Sequence, residues 1–248
     1  MEQFTDFAYV YDELNINYDK DKIIKRLKQL LGGCREVADL CCGTGDVAIA
    51  LAKAGYKVTG IDISEDMLNV ATEKAMENAA RIQFVCMDAR EFKLMKKADA
   101  VYSVTDGMNY MLDDLSLKRA FTAVYNALAD NGIFVFDMST KYKYENMLDD
   151  KTYTFDFDDV FLSWQNEYDS VDRICTMYVT GFLKNDDESY SRFDEIHKQR
   201  SYDCVDIKQM LENCGFELEN VYSCYDEHEL NENDERALYV ARKCNKRE

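Results

Sequence analysis

Two carboxylates and two glycines near the start of the chain are spaced to do chemistry together. Asp39 and Leu40 close an apolar run, the turn Cys41-Cys42-Gly43-Thr44-Gly45 follows, and Asp62 closes the next apolar run at 57–61. Between them Val47, Ala48, Leu51 and Ala52 fall on one face of a helix. Glycine tolerates positive φ and lets a backbone N–H approach a ligand, which suits Gly43 and Gly45. A helix that starts after Gly45 presents unpaired N–H groups and favours a carboxylate or other anion. An acid at the tip of the following strand can accept from both hydroxyls of a ribose. Strand, glycine turn, helix, strand and acid make the general layout of a nucleoside-binding α/β unit.

The surrounding sequence supplies the elements to hold these groups. Strands are expected at 37–41, 57–61, 82–87, 98–104 and 132–138, with helices at 46–54, 65–78 and 114–129 and a short one near 90–95. An earlier helix carries Ile23, Ile24, Leu27, Leu30 and Leu31 at helical spacing, with Asp19 or Asp21 as its N-cap, and Ser64 caps the helix at 65. The aromatic stretch 4–12 reads as a short helix of its own. Such alternation implies a parallel sheet covered on both faces, joined by right-handed crossovers. Around Glu145 the pattern changes. Runs rich in Thr, Tyr, Phe and Val at 152–157, 160–168, 173–183 and 190–202 are separated by turn compositions, which predicts an inserted antiparallel sheet. A helix at 203–213 stops at Gly215, and strands at 217–225 and 237–242 pair as a hairpin-like end to the main sheet. The expected division is one domain from 1–145 and 203–248, with a subdomain at 146–202.

Composition narrows the function classes. The 248 residues are 47% hydrophobic and 12% aromatic, enough for a full core. No apolar run approaches the roughly 20 residues of a membrane helix, and the first residues lack the basic and apolar regions of a signal peptide. No membrane partner and a cytoplasmic location are the expectations. The nine cysteines are scattered without a C-x-x-C, and there are two histidines, so no metal site is expected. The thiols read as small buried groups in a reducing compartment. Residues 1–144 hold 22 acids and 18 bases, whereas residues 145–235 hold 25 acids and 7 bases. That surface repels nucleic acid. It is either a solvated face or an attractor of a cationic or amine substrate.

The stretch D-L-C-C-G-T-G at 39–45 is similar to the glycine-rich loop of class I S-adenosylmethionine-dependent methyltransferases, with Cys41 where the first glycine is usual. The match runs from about 37 to 138, with the terminal helix and strands in the expected order. T-D-G-M-N-Y-M-L from Thr105 resembles small bacterial members that read D-x-L-N-Y-L there and carry an antiparallel insertion before the last helix. Their N-termini often hold a segment like Tyr11-Asp12-Glu13-Leu14. The resemblance implies a seven-stranded, Rossmann-like, doubly wound α/β sheet with its last strand antiparallel, and an inserted antiparallel β lid. It implies S-adenosyl-L-methionine as cofactor. Asp39, Cys41, Gly43 and Gly45 would then serve its methionine part, Asp62 the ribose hydroxyls, and Asp88 the adenine amino group. Ile63, Met67, Met87 and Ala89 would lie about the adenosine, Val104 would line the methyl donor, and Tyr11 would close over the cofactor. For each acid a plain structural role stays open. Asp39 could cap a turn, Asp62 could be solvated, Asp88 could be a loop acid, and Met87 could be core.

Methyl transfer from a sulfonium is an in-line displacement, so alignment and exclusion of water do most of the work. A base is needed only when the acceptor must lose a proton. The acceptor-side candidates are Tyr9, Tyr11, Asp106, Asn109, Tyr110, Trp164, His197, Arg200 and Tyr202. His197, Asp106 and Tyr11 are the catalytic candidates. Asn109, Tyr110, Trp164 and Arg200 are the substrate candidates. Each has a structural alternative: a sheet histidine, a packed loop acid, a packed aromatic, an arginine paired with nearby acids. The inserted sheet is read as the lid and specificity element. A small-molecule acceptor with an N or O nucleophile is the leading expectation, in a monomer or homodimer. A non-catalytic cofactor-binding regulator and a protein methyltransferase remain alternatives. A nicotinamide enzyme is disfavoured, although Ala48 is tolerated at its third glycine position. The N-P-P-Y motif for exocyclic nitrogen is impossible in a chain without proline.

Overall fold

A computed structural model describes residue 8, residues 10–14 and residues 19–244. Tyr9 and most of the expected 4–12 helix lie outside the described residues. What is described there is one turn, α1 (Tyr11–Leu14). Along the main domain follow α2 (Lys20–Leu31), β1 (Glu36–Leu40), α3 (Asp46–Lys53), β2 (Lys57–Asp62), α4 (Glu65–Glu77), β3 (Gln83–Cys86), β4 (Ala98–Ser103), α5 (Asp114–Ala127) and β5 (Leu128–Ser139). Asp19 caps α2 by accepting from Lys22 N, and Ser64 caps α4 by accepting from Met67 N.

The inserted strands are β6 (Thr152–Asp156), β7 (Val160–Asp169), β8 (Ile174–Lys184) and β9 (Tyr190–Arg200), and the chain ends with α6 (Cys204–Asn213), β10 (Phe216–Ser223) and β11 (Arg236–Lys243). The main sheet has seven strands in the order β10-β11-β5-β4-β1-β2-β3. The pairs from β5 to β3 are parallel, and β11 runs antiparallel to both its neighbours. Helices cover both faces, which is why the central strands are apolar on both sides. One face packs Phe121, Phe134, Phe136 and Tyr239 against α5 and α6; the other packs Leu27, Leu51, Tyr102 and Val135 against α2 and α3.

Three local expectations change. Residues 90–95 are not helical: Asp88 Oδ1 accepts from Arg90 N at 2.8 Å, and this side-chain turn competes with helix. Helix α5 stops at Ala127 because β5 already starts at Leu128, with Asn131 at positive φ and a register shift opposite Ala98 and Ala100. A wide π-helical turn, Lys143–Leu148, leads into the inserted sheet.

That sheet has the order β6-β7-β8-β9, all antiparallel. On its buried face Gly181 leaves room for Phe193, whose ring lies 2.1 Å from where a Cβ would stand. Two polar ties fix the sheet over the tips of the main strands. Asn109 donates to Arg200 O at 2.8 Å and accepts from Ser139 N at 2.9 Å, and Tyr144 donates to Gln199 Oε1 at 2.9 Å. Val10 adds an apolar contact with Val160, Leu162, Val179 and Phe193.

Candidate active site

The turn after β1 is built on three left-handed residues, Cys41, Gly43 and Gly45, at φ of 60°, 52° and 76°. Gly43 N donates to Asp62 Oδ2 at 2.8 Å and Ser64 N donates to Asp62 Oδ1 at 3.0 Å, so one carboxylate braces both loops. Gly45 has a different duty. A Cβ there would stand 3.0 Å from Ala71 Cβ and 3.1 Å from the Phe84 ring, so its hydrogen permits close packing behind the turn. Gly43 faces the cleft; Gly45 does not line it. Burial pushes the Asp62 carboxyl up, against the downward pull of the N–H groups of Ser64, Gly43 and Ile63. Asp39 is 2% exposed; burial pushes its carboxyl well up, the Tyr102 phenol pulls it down, and Asp62 adds to the rise. Burial and the same two carboxylates push the Cys41 thiol up, which makes it a poor nucleophile.

Next to Asp62 the side chain of Ile63 is 63% exposed, an apolar surface open to the cleft. Met67, Cys86, Met87, Asp88 and Ala89 line the same cleft. Asp88 is held by Arg90, whose Nε lies 2.9 Å from each carboxylate oxygen, and the guanidinium keeps the carboxyl below its usual range. A carboxylate tip beside an exposed apolar residue and a side-chain-free backbone at Gly43 fits a ribose and a flat base.

Beyond β4 the loop is strained, with Thr105 and Asp106 both at positive φ. Buried Asp137 on β5 supports it by accepting from Thr105 N at 2.9 Å and Asp106 N at 2.8 Å. Arg236 on β11 then links the two acids, 3.1 Å from Asp137 Oδ2 and 2.7 Å from Asp106 Oδ2. Ser139 Oγ donates to Asp106 Oδ1 at 2.8 Å, and Lys143 Nζ lies 3.5 Å from Asp106. Burial raises the Asp106 carboxyl, but Arg236 and Lys143 outweigh it and hold the group below its usual range. Asp106 is therefore an ion-paired carboxylate that braces the loop, a poor candidate for a base. Val104 precedes it on the cleft wall.

The far wall is the inserted sheet, with Tyr153, Phe155, Trp164, Met177, His197 and Gln199, opposite Tyr11 and Tyr110. Tyr110 and His197 meet edge to face, centroids 6.3 Å apart, with the phenol oxygen 3.5 Å from Nδ1. Behind them Glu195 Oε2 lies 3.1 Å from His197 Nε2, and the two side chains are 3% and 2% exposed. Burial pushes the Tyr110 phenol well up, so it stays protonated.

Three expected acceptor residues stand elsewhere. Asn109 is fully buried and its amide serves Ser139 and Arg200, because it is the tie between the sheets. Arg200 pairs with Asp114 at 2.6 Å and stacks on Tyr202 at 4.6 Å. Tyr202 donates to Asp113 O at 3.2 Å and to Met111 O. None of the three lines the cleft. The structure adds Asp12, Asp137, Lys143, Glu195, Gln199 and Arg236, which the sequence reading missed. Glu195 and Gln199 had a signal: they lie two residues either side of His197 and so share its face of the strand. The others depend on long-range pairing.

Asp39, Asp62, Asp88 and Asp106, with Asp12, Lys143, Gln199 and Arg236, line one continuous cleft of about 1490 Å³ at the carboxyl ends of the parallel strands, where open α/β sheets bind ligands. A groove of about 890 Å³ at the opposite ends of β2 and β3 contains none of the strand-tip acids. Among the described residues no helix is long and apolar enough to cross a membrane.

Sheet order, glycine turn and strand-tip acids define a class: the chain belongs to the class I S-adenosylmethionine-dependent methyltransferases. Residues 37–132 match the family described as Methyltransferase domain. The chain is 33% identical over 238 residues to YqeM of Bacillus subtilis (strain 168), covering 96% of each. It is 31% identical over 245 residues to a relative from Geobacillus sp. (strain WCH70), covering 97% of this chain and 99% of that one. Both relatives bear provisional methyltransferase names. An S-adenosylmethionine-dependent methyltransferase from Clostridium acetobutylicum ATCC 824 superposes with a TM-score of 0.86 at 28% identity, covering 98% of this chain and 100% of that one.

Proposed function

We propose that this S-adenosylmethionine-dependent methyltransferase acts on a small molecule held between the strand tips and the inserted sheet. One observation carries the reading. The cleft is polar and glycine-lined at Gly43 and Asp62, and aromatic at Tyr11, Tyr110, Phe155 and Trp164, with the inserted sheet closing the aromatic end. A concave cleft with an aromatic end suits a compact ligand.

In this reading Asp62 and Gly43 hold the ribose side of the cofactor. Ile63, Met67, Met87 and Ala89 flank the base, and Asp88 faces its edge while keeping Arg90. Asp39, Cys41 and Val104 line the methionine side. When bound, S-adenosylmethionine would supply an activated methyl group whose carbon an acceptor lone pair attacks in line, the carbon–sulfur bond breaking and its electron pair leaving with S-adenosylhomocysteine. The protein's part is alignment and water exclusion, which together can contribute on the order of 7–11 kcal/mol. Tyr11, Trp164 and Tyr110 orient the acceptor, and His197 stands ready for its proton. The segment at 146–202 is the specificity subdomain.

The test is an incubation with methyl-labelled S-adenosylmethionine and a deproteinised small-molecule extract, beside protein and RNA fractions. Label in the small-molecule fraction supports the proposal; label confined to protein or RNA contradicts it.

A further inference from the structure

The buried face of β9 reverses the usual pattern. Ile196 points outward and is half-exposed, while Glu195, His197 and Gln199 are turned in and buried. A carboxylate and an imidazole cost free energy at such positions unless polar partners serve them. They also stand in order: Glu195, His197 with 3.1 Å between Oε2 and Nε2, then Tyr110 3.5 Å from Nδ1, then the cleft. The first contact is close but not aligned as a hydrogen bond, and the second is long. Both are usual for a catalytic chain before its substrate is seated.

We infer that Glu195, His197 and Tyr110 form a proton relay in which Glu195 is the positioning residue and the acceptor is a hydroxyl or protonated amine placed against Tyr110. The inference rests on the small-molecule reading of the cleft. The acceptor's O–H or N–H bond breaks and leaves its electron pair on the nucleophile. Its proton passes to the Tyr110 oxygen as the proton of Tyr110 moves to His197 Nδ1. The resulting imidazolium is stabilised by the Glu195 carboxylate, which keeps the other ring proton on Nε2. No free carboxylate is needed in the acceptor chamber, which agrees with the pairing of Asp106 to Arg236.

The test uses the full chain with His228, which is exposed, replaced by Gln, so that His197 is the sole histidine. Nitrogen NMR of labelled imidazole in mildly alkaline buffer should show one neutral tautomer, protonated at Nε2. Glu195→Met should scramble the tautomers, and Tyr110→Phe should leave them unchanged. A proton on Nδ1 in the parent protein, or a tautomer unmoved by Glu195→Met, overturns the relay. Glu195→Gln keeps the shape of the side chain. It should slow labelled-product formation from the extract about a hundredfold, within the range of general acid–base effects, with S-adenosylhomocysteine affinity unchanged. An unchanged rate overturns the role of Glu195. If the extract takes no label at all, the small-molecule reading fails, while the tautomer pattern still reports on the relay.

Discussion

Asp12 accepts a hydrogen bond from Thr44 Oγ1 at 2.6 Å, across 32 residues of sequence. Lys74 pairs with the same carboxylate and, at 2.5 Å, with Asp46. The short helix that carries Tyr11 is thereby tied to the turn that carries Gly43. Asp12→Ala should cut this tie at a cost of about 1 kcal/mol, weakening S-adenosylhomocysteine binding roughly fivefold. Hydrogen exchange at residues 10–14 should quicken in parallel. Unchanged exchange there would show that the tie does not hold the helix.

Asp39 sets stability against binding. Its folded carboxyl is raised above the unfolded value, so its contribution to stability is full at pH below about 4 and falls as pH rises towards the folded value. Asp39→Asn should gain stability relative to the parent as pH rises, seen in urea midpoints at mildly acidic and mildly alkaline pH. The same variant should bind S-adenosylhomocysteine about tenfold more weakly, since an amide N–H replaces one of the carboxyl oxygens proposed to face the cofactor. A stability difference independent of pH would contradict the account.

Arg236 bridges buried Asp137 and part-buried Asp106, and its removal takes the shared guanidinium from both. Arg236→Met should cost about 3–5 kcal/mol in urea unfolding. Asp106 is depressed in the folded state, so the stability it provides is present above about pH 4 and lost as pH falls through its folded value. The variant's acid limb should therefore be shallower than the parent's. A cost below about 1 kcal/mol would mean the bridge is not needed.

Trp164 is the chain's one tryptophan and lines the aromatic end of the cleft. Its emission should change when a methyl acceptor binds and change little with S-adenosylhomocysteine alone. Trp164→Phe should raise the acceptor KM about tenfold through lost apolar contact, with cofactor affinity unaltered. A Trp164→Phe variant with altered S-adenosylhomocysteine affinity and parental KM would place this residue on the cofactor side.

Groups defined by short spacing were readable in the sequence. The turn at 41–45, Asp62 at its strand tip, the caps Asp19 and Ser64 and the four inserted strands each depend on neighbours within a few residues. The helix expected at 90–95 was lost to a local competitor, the Asp88 carboxylate, whose turn closes on Arg90 N. Asn109 and Arg200 were assigned to substrate because each has the right chemistry near the right strand. Their true partners, Ser139 O and Arg200 O for Asn109 and Asp114 for Arg200, lie 30, 91 and 86 residues away. Arg236 and Asp137, 99 residues apart, were invisible for the same reason. Glu195 was different: strand alternation puts it on the same face as His197, and the structure shows that face to be buried.

The proposed grip of Asp62 on the cofactor, next to the Gly43 backbone, is measured directly by calorimetry with S-adenosylhomocysteine. The parent protein should bind one equivalent, and Asp62→Ala should bind at least about tenfold more weakly, as loss of a charge-assisted hydrogen bond requires. No binding by the parent, or equal affinity in the variant, would contradict the assignment of this cleft to the cofactor.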